Sequence, residues 1–231
     1  MKVNRLVVLA VAGVAVLGLS GCSEVTGGRA AKVGDTTIST SDVDFLTRMQ
    51  CDSLDKAAKD PAQAGQVQTV PTRQVRADMV NALVTSEVAA QLAAEKGTDY
   101  DKATYRQVME QFEPVVQEVP KADQDRFRDL VGGFYRGQLQ MYALAQEQLA
   151  KAGITNPSQE VVSDAVTGIE QDFRKDLDIS VNPVFGPDAA GNAGAEDASL
   201  SRPVSAFAKQ AASAKPSAEW VSGLPAGQRC G

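Results

Sequence analysis

Two pairs of acidic residues, Asp42 with Asp44 and Glu110 with Glu113, have spacings that could support acid–base chemistry. Neighbouring carboxyl groups can act as acid and base when their surroundings separate the two pKa values. Both pairs, however, stand where helices usually carry acidic residues, in a first turn or on a solvated face. The sequence therefore favours a structural role for all four carboxylates.

Metal and nucleophile chemistry has little support in the sequence. Asp99 and Asp101 flank Tyr100, but a calcium loop needs six or more oxygen ligands and this segment lacks the full run. No glycine-rich phosphate loop follows a predicted strand. The chain contains no histidine, which excludes Ser-His-Asp and Cys-His relays and every His-containing metal site. We therefore expect no enzyme activity, no metal and no cofactor.

Cys22 ends the sequence Leu-Ser-Gly-Cys, which is typical of the lipobox of bacterial lipoproteins. The apolar run before it, residues 6–19, is shorter than the roughly 20 residues that a transmembrane helix needs. We predict a signal peptide over residues 1–21 and diacylglycerol on Cys22. Because two or more acyl chains anchor a protein stably, the protein should be attached to the cell membrane on its extracytoplasmic side. An ordinary secretory signal, cut near Gly21, is the alternative.

Once Cys22 is assigned to lipid, Cys51 and Cys230 are the two cysteines that are left. An even pair in an oxidising compartment favours a disulfide. Two free buried thiols, or one reactive thiol, are the alternatives. We predict the bridge, because Cys230 stands one residue from the end of the sequence and has little reason to be buried alone.

The charge of the chain argues against a nucleic-acid partner. The formal net charge is −6, and residues 1–21 contribute only Lys2 and Arg5, so a chain that begins at Cys22 carries −8. Nucleic acids bind surfaces rich in Lys and Arg. The length of 231 residues is typical of one compact domain with appendages.

The first part of the chain predicts a small hairpin and a helix. Val33 and Ile38 stand on either side of a turn at residues 34–35, which suggests a small hairpin. Ser39 is an N-cap candidate for the helix that follows, and we expect that helix to end before Pro61. Residues 23–28 precede the hairpin as a tether.

Two further helices are predicted in the middle of the chain. The second should lie between Pro71 and Gly97, where apolar residues recur at every fourth position: Val80, Val84, Val88 and Leu92. Polar residues form a stripe opposite them: Gln74, Asp78, Asn81 and Thr85. The third should run over residues 101–112, because Pro114 predicts a kink or a restart.

The fourth and fifth helices precede a short strand. The fourth should cover residues 122–152, with Gly153 after it and three glycines inside it that close packing or a bend must offset. The fifth begins near Ser158, in a sequence similar to a capping box. Ile179 and Val181 alternate with polar residues before a proline, which predicts a short edge strand.

Five side chains of the fourth helix could form a client-binding face: Phe127, Phe134, Tyr135, Met141 and Tyr142. Flexible Met and amphipathic Tyr suit the promiscuous binding of apolar peptides. A helix core is the alternative, and it is the interpretation that the spacing favours.

Two segments of the sequence resemble the SurA family of extracytoplasmic chaperones. The first is Ala31-x-Val-Gly-Asp-x-x-Ile-Ser-x-x-Asp-Val43, which opens a helix soon after an export signal. The second is Ile179-x-Val-Asn-Pro-x-Phe-Gly186, which is similar to the Asn-Pro strand with which such domains end. The resemblance implies a helical chaperone domain in which the two extended segments pair and leave a groove for unfolded clients. Family members that isomerise prolyl bonds carry an inserted parvulin domain with active-site histidines. This chain contains no histidine, so the resemblance does not imply isomerase activity.

These observations predict a mainly α fold of about five amphipathic helices, with a two- or three-stranded β element from the segments that flank them. We expect a tether over residues 22–29, the SurA-like domain over residues 30–186 and a tail over residues 187–231. The tail is rich in Ala, Gly, Ser and Pro, which predicts disorder, but its apolar end should dock on the helices. The expected function is a membrane-anchored holdase for unfolded secreted or envelope proteins. The alternative is an adaptor lipoprotein that binds one folded envelope partner.

Overall fold

The computed structural model describes residues 28–185, 204–211, 213 and 215–231 of the chain. These residues form five short strands and seven α-helices, which confirms the mainly α fold. In chain order the elements are β1 (Arg29–Val33), β2 (Thr36–Ser39), α1 (Thr40–Lys59), β3 (Val70–Pro71), α2 (Thr72–Lys96), α3 (Lys102–Glu118), α4 (Gln124–Lys151), α5 (Gln159–Asp176), β4 (Ile179–Val181), α6 (Ala206–Ala211), α7 (Ala218–Ser222) and β5 (Arg229–Cys230). Cys22 and the predicted signal peptide lie outside the described residues. None of the described helices is both long and apolar enough to cross a bilayer.

A three-stranded antiparallel sheet joins the segments that precede and follow the long helices. β1 is its central strand and pairs with β2 through the predicted hairpin and with β4 on the other side. Val33 of β1 faces Ile179 of β4. The Asn182 side-chain amide donates to the Arg29 carbonyl oxygen at 3.2 Å. The expected β element, with β4 at its edge, is therefore confirmed.

Local signals set the ends of the first two long helices. The Ser39 hydroxyl accepts the Asp42 backbone N–H at 3.0 Å and caps α1. Pro71 stands directly before α2, and Gly97 ends it with a φ of 65°, which glycine adopts at little cost. The apolar stripe of α2 packs against the sheet in one core cluster: Ala30, Ala31, Val33, Ile38, Val43, Val80, Val84, Val88 and Phe185.

The third long helix, α3, is longer than predicted. It continues through Pro114 and ends at Glu118. A proline inside a helix removes one hydrogen bond and costs about 3 kcal/mol. The turn after it carries Val116, which is buried with Val119 against Phe45 and Phe127. Burying two valines contributes about 1.5–3 kcal/mol each, which is enough to offset the proline.

The fourth long helix, α4, starts after a 3₁₀ turn at Lys121–Asp123 and crosses α2 closely. Gly137 permits the approach: a Cβ atom there would lie 3.1 Å from the Ala89 Cβ and 3.4 Å from the Ser86 carbonyl oxygen. Close helix packing therefore explains why a glycine stands at this position inside α4. Leu92 and Met141 are buried at the same contact.

The C-terminal segment packs against the beginning of α2. β5 pairs antiparallel with β3, so that Cys230 faces Val70. Val221, Leu224 and Cys230 are buried. Residues 186–203, which contain much of the tail predicted to be disordered, lie outside the described residues.

Candidate functional site

The acid–base candidates of α1 are engaged in ion pairs. Asp42 lies 2.6 Å from the Arg126 guanidinium, which also stacks 4.7 Å from the centre of the Phe45 ring. Asp44 lies 2.8 Å from the guanidinium of Arg76. Each carboxylate thus has its own arginine, and the two arginines tie α1 to α4 and to α2.

Most of the acidic candidates around α3 are ion-paired or cap the helix, whereas Glu110 is exposed and takes part in none of the ion pairs of the described residues. Arg128 lies 2.9 Å from Glu113, and hydrogen bonds from Arg128 and then from Gln117 hold the pKa of the Glu113 carboxyl below its usual value. Asp101 caps α3, and the backbone N–H groups of Thr104 and Ala103 lower its pKa. Among the described residues, no group of three or more Cys, Asp or Glu side chains is placed to hold a metal ion.

The two remaining cysteines lie together at the end of the C-terminal segment. The sulfur atoms of Cys51, in α1, and Cys230, in β5, are 1.98 Å apart. Two hydrogen bonds hold the adjacent terminus: the Gly231 N–H donates to the Asp55 carboxylate at 2.6 Å, and the Thr69 hydroxyl donates to the Gly231 carbonyl oxygen at 3.0 Å. This pair therefore joins the C-terminal segment to α1.

The five aromatic and methionine candidates of α4 do not share one face. Phe127 is buried against Phe45, in the core below α3. Tyr135 packs against Phe112, with ring centres 5.1 Å apart. The other three, Phe134, Met141 and Tyr142, line a common groove, and Tyr142 is 43% exposed there.

This groove has a volume of about 360 Å³ and lies between α2, α4 and α5. Its apolar lining includes Ala89, Phe134, Met141, Tyr142 and Val166. Uncharged polar side chains complete most of the lining: Thr85, Ser86, Gln138, Gln159, Ser163 and Thr167. Ligand sites have this character, an apolar surface with a few polar groups that can bind backbone amides.

The groove carries one charged lining residue, Glu170, and that charge is compensated. The Arg174 side chain donates to Glu170 at 2.8 Å and to the Thr85 hydroxyl at 2.8 Å. Arg174 thereby neutralises Glu170 and also joins α5 to α2. The groove therefore favours uncharged apolar segments over charged ones.

A model of the SurA-like N-terminal domain family matches residues 2–140, which is more than half of the 231-residue chain. The chain belongs to this family. The match confirms the predicted family resemblance. The SurA-like family is chaperone-like and extracytoplasmic. No parvulin domain is found in the chain. No curated protein and no solved structure matches it.

The SurA-like match includes the α2 wall of the groove and part of the α4 wall. All of α2 and most of α4 lie within residues 2–140, whereas α5 lies beyond them. The matched segment thus supplies Phe134 and Ala89, and α5 supplies part of the polar rim, including Gln159, Ser163 and Thr167.

The polar half of the groove in this SurA-like chain was not predicted from the sequence. Thr85 stands in the polar stripe of α2, a pattern that usually indicates a solvated face. In the structure, Thr85 lines the groove and accepts a hydrogen bond from Arg174 of α5. Its neighbour Ser86 is a second polar lining residue. A polar stripe shows that a face is not core, but not that another helix approaches it.

Proposed function

We propose that this chain is an extracytoplasmic lipoprotein that holds unfolded secreted or envelope proteins, with clients bound in the groove between α2, α4 and α5. The observation that carries the proposal is the groove itself, an open and apolar surface with an uncharged polar rim. The extracytoplasmic, chaperone-like family is the second support.

Affinity for such clients has to come mainly from apolar burial. Each Å² of apolar surface removed from water contributes about 25 cal/mol, before the cost of ordering the client is subtracted. The polar rim, which includes Gln138 and Gln159, could bind the backbone amides that every polypeptide carries. Binding should therefore be weak and broad, as a holdase requires.

The proposed anchor is an acylated Cys22. The backbone N–H of Thr40 donates to the Gly28 carbonyl oxygen at 2.9 Å, which holds residue 28 beside the start of α1. The six residues 23–28 can span at most about 22 Å, at up to 3.6 Å per residue. A protein tethered in this way would bind clients close to the membrane surface.

The proposed activity does not include prolyl isomerisation. The chain has no histidine and no matched parvulin domain. A prolyl bond in a bound client should therefore isomerise at the uncatalysed rate, over tens of seconds or longer.

Blocking the groove tests the proposal. Ser163→Phe places a ring at an exposed position that lines the groove, whereas Gln171→Phe places one at an exposed position of α5 outside the lining. Suppression of the aggregation of a chemically denatured client should fall in Ser163→Phe and remain in Gln171→Phe, with both variants equally folded by circular dichroism. Equal suppression of aggregation by both variants would exclude the groove as the client-binding site. Tight binding to one folded envelope protein, with no binding to denatured chains, would favour the adaptor alternative.

A further inference from the structure

A second cavity, of about 320 Å³, lies where the C-terminal segment packs on the start of α2. Pro71, Thr72, Arg73 and Arg76 line it from the α2 side. The C-terminal segment supplies the other walls: Phe207, Ala211, Trp220, Leu224, Gly227 and Gln228. This cavity shares no lining residue with the client groove.

The charged side chains that line this cavity are both cationic. Arg76 is paired with Asp44 at 2.8 Å and lies 4.9 Å from the centre of the Phe185 ring. Arg73 donates to the Ser213 carbonyl oxygen at 3.0 Å and forms no ion pair with any described residue. The first turn of α2 contains no acidic residue either. In a chain with a net charge of −6, Arg73 therefore gives this cavity one cationic group without an acidic partner among the described residues.

Two aromatic rings give the cavity an apolar wall. Phe207 and Trp220 pack with ring centres 5.3 Å apart, and Phe207 is 61% exposed although it is a large apolar side chain. The Trp220 indole N–H is buried without a hydrogen-bond partner in the described part of the chain. Because this N–H exposes almost no surface, it does not face the cavity, and Trp220 contributes its ring as an apolar wall.

We propose that this cavity binds a carboxylate that is attached to one apolar side chain, as at the C-terminus of an unfolded polypeptide. Arg73 is the group that binds the carboxylate, since guanidinium and carboxylate match in geometry as well as charge. The rings of Phe207 and Trp220, with Leu224, enclose the side chain. The identity of the ligand rests on the proposed function, because unfolded clients are the polypeptides available to it.

The size of the cavity favours a chain terminus over a phospholipid. A volume of about 320 Å³ lies at the small end of the range of ligand pockets, about 300–1,000 Å³. One residue with its terminal carboxylate fits such a space, whereas two acyl chains do not.

Trp220 is the one tryptophan of the chain, so its fluorescence reports on this cavity directly. The purified full chain should respond when titrated with N-acetyl-Ala-Ala-Ala-Leu that has a free carboxylate, and the C-terminal amide of the same peptide should bind at least about tenfold more weakly. Arg73→Gln should weaken the binding of the free-acid peptide by about tenfold and leave the binding of the amide unchanged. Arg106→Gln is the matched control, because this exposed arginine of α3 donates to the Lys102 carbonyl oxygen and lies outside the cavity.

Three results would overturn the assignment: equal responses to acid and amide, an unchanged affinity in Arg73→Gln, or a response to phosphatidylglycerol vesicles but not to the peptide. The Ser163→Phe variant separates this proposal from the proposed function. It should lose client protection and keep the Trp220 response to the acid. A wild-type chain that distinguishes acid from amide but never suppresses aggregation would leave the carboxylate site standing and reject the holdase function.

Discussion

Gly137 of α4 lies so close to Ala89 of α2 that a Cβ atom at residue 137 would stand 3.1 Å from the Ala89 Cβ. The same contact forms part of the lining of the proposed client groove. The helix spacing that makes the groove therefore depends on the absence of one methyl group.

Gly137→Ala should destabilise the fold. Alanine gains about 1 kcal/mol of helix propensity, but overpacking costs about 1–3 kcal/mol when helix backbones must separate. The Ser86 backbone, 3.4–3.6 Å away, gives the new methyl group little room. We expect a net loss of up to about 2 kcal/mol in the free energy of unfolding by urea.

Gly168→Ala is the control for Gly137→Ala. Gly168 lies inside α5, and apart from its chain neighbours and the backbone of its own helix no atom stands within 4 Å of the position that its Cβ would occupy. This substitution should stabilise the protein by about 0.4–1 kcal/mol. If both substitutions stabilise the protein equally, the close approach of α2 and α4 is wrong.

How much of the fold could be predicted depends on how local each signal is. Ser39 and Gly97 act on the helix ends beside them, so the limits of α1 and α2 followed from short stretches of sequence. The end of α3 did not, because Val116 is stabilised by Phe45, which is 71 positions earlier in the chain. The local sequence contains Pro114, but it does not indicate the distant core contacts that offset the cost of this proline.

The groove was harder to predict for the same reason. Phe134, Met141 and Tyr142 were among the candidates, but so were Phe127 and Tyr135, which pack elsewhere. Whether a residue of α4 lines the groove depends on where α2 and α5 cross α4. Helical spacing alone contains no information about those crossings.

Removal of either cysteine of the Cys51–Cys230 pair should destabilise the protein. A bridge over a sequence separation of 179 residues is worth at most about 5 kcal/mol in the chain-entropy estimate, less any strain. Cys51→Ser and Cys230→Ser should lower the free energy of unfolding alike. The double variant should cost no more than either single one. Full thiol labelling of both cysteines in the native, oxidised protein would contradict the bridge.

The ion pair between Glu113 and Arg128 should make part of the stability depend on pH. Its hydrogen bonds lower the folded-state pKa of Glu113, so the contribution is present above the unfolded value of about 4.3. It is lost as the pH falls through the lowered folded-state pKa. The difference in urea midpoint between wild type and Glu113→Gln should therefore shrink between pH 7 and pH 3.

Glu110→Gln provides the comparison for Glu113→Gln. Glu110 is exposed on the same helix, and none of the ion pairs of the described residues includes it. Its substitution should change the midpoint little at either pH. A difference for Glu113→Gln that stays constant with pH would rule out this charge contribution.

Acylation of Cys22 is expected from the lipobox sequence that ends there. Mass spectrometry of the mature N-terminus should show Cys22 carrying diacylglycerol, and Cys22→Ala should move the protein from membranes to the soluble fraction. Buried methylenes contribute about 0.8 kcal/mol each, so two acyl chains suffice for stable attachment. A wild-type protein that is soluble and unmodified would refute the anchor.

Salt should distinguish the two proposed binding sites. The groove has one charged lining residue, Glu170, and Arg174 already compensates it, so its affinity for an uncharged apolar segment depends on burial. The Debye length falls from about 10 Å at 0.1 M salt to about 3 Å at 1 M, which screens the charge of the exposed Arg73 but not apolar contacts. Between 0.1 and 1 M NaCl, client affinity should change by less than about twofold. Binding of the free-acid peptide, followed by Trp220 fluorescence, should weaken several-fold over the same range. Equal salt sensitivity at both sites would show that charge does not separate them.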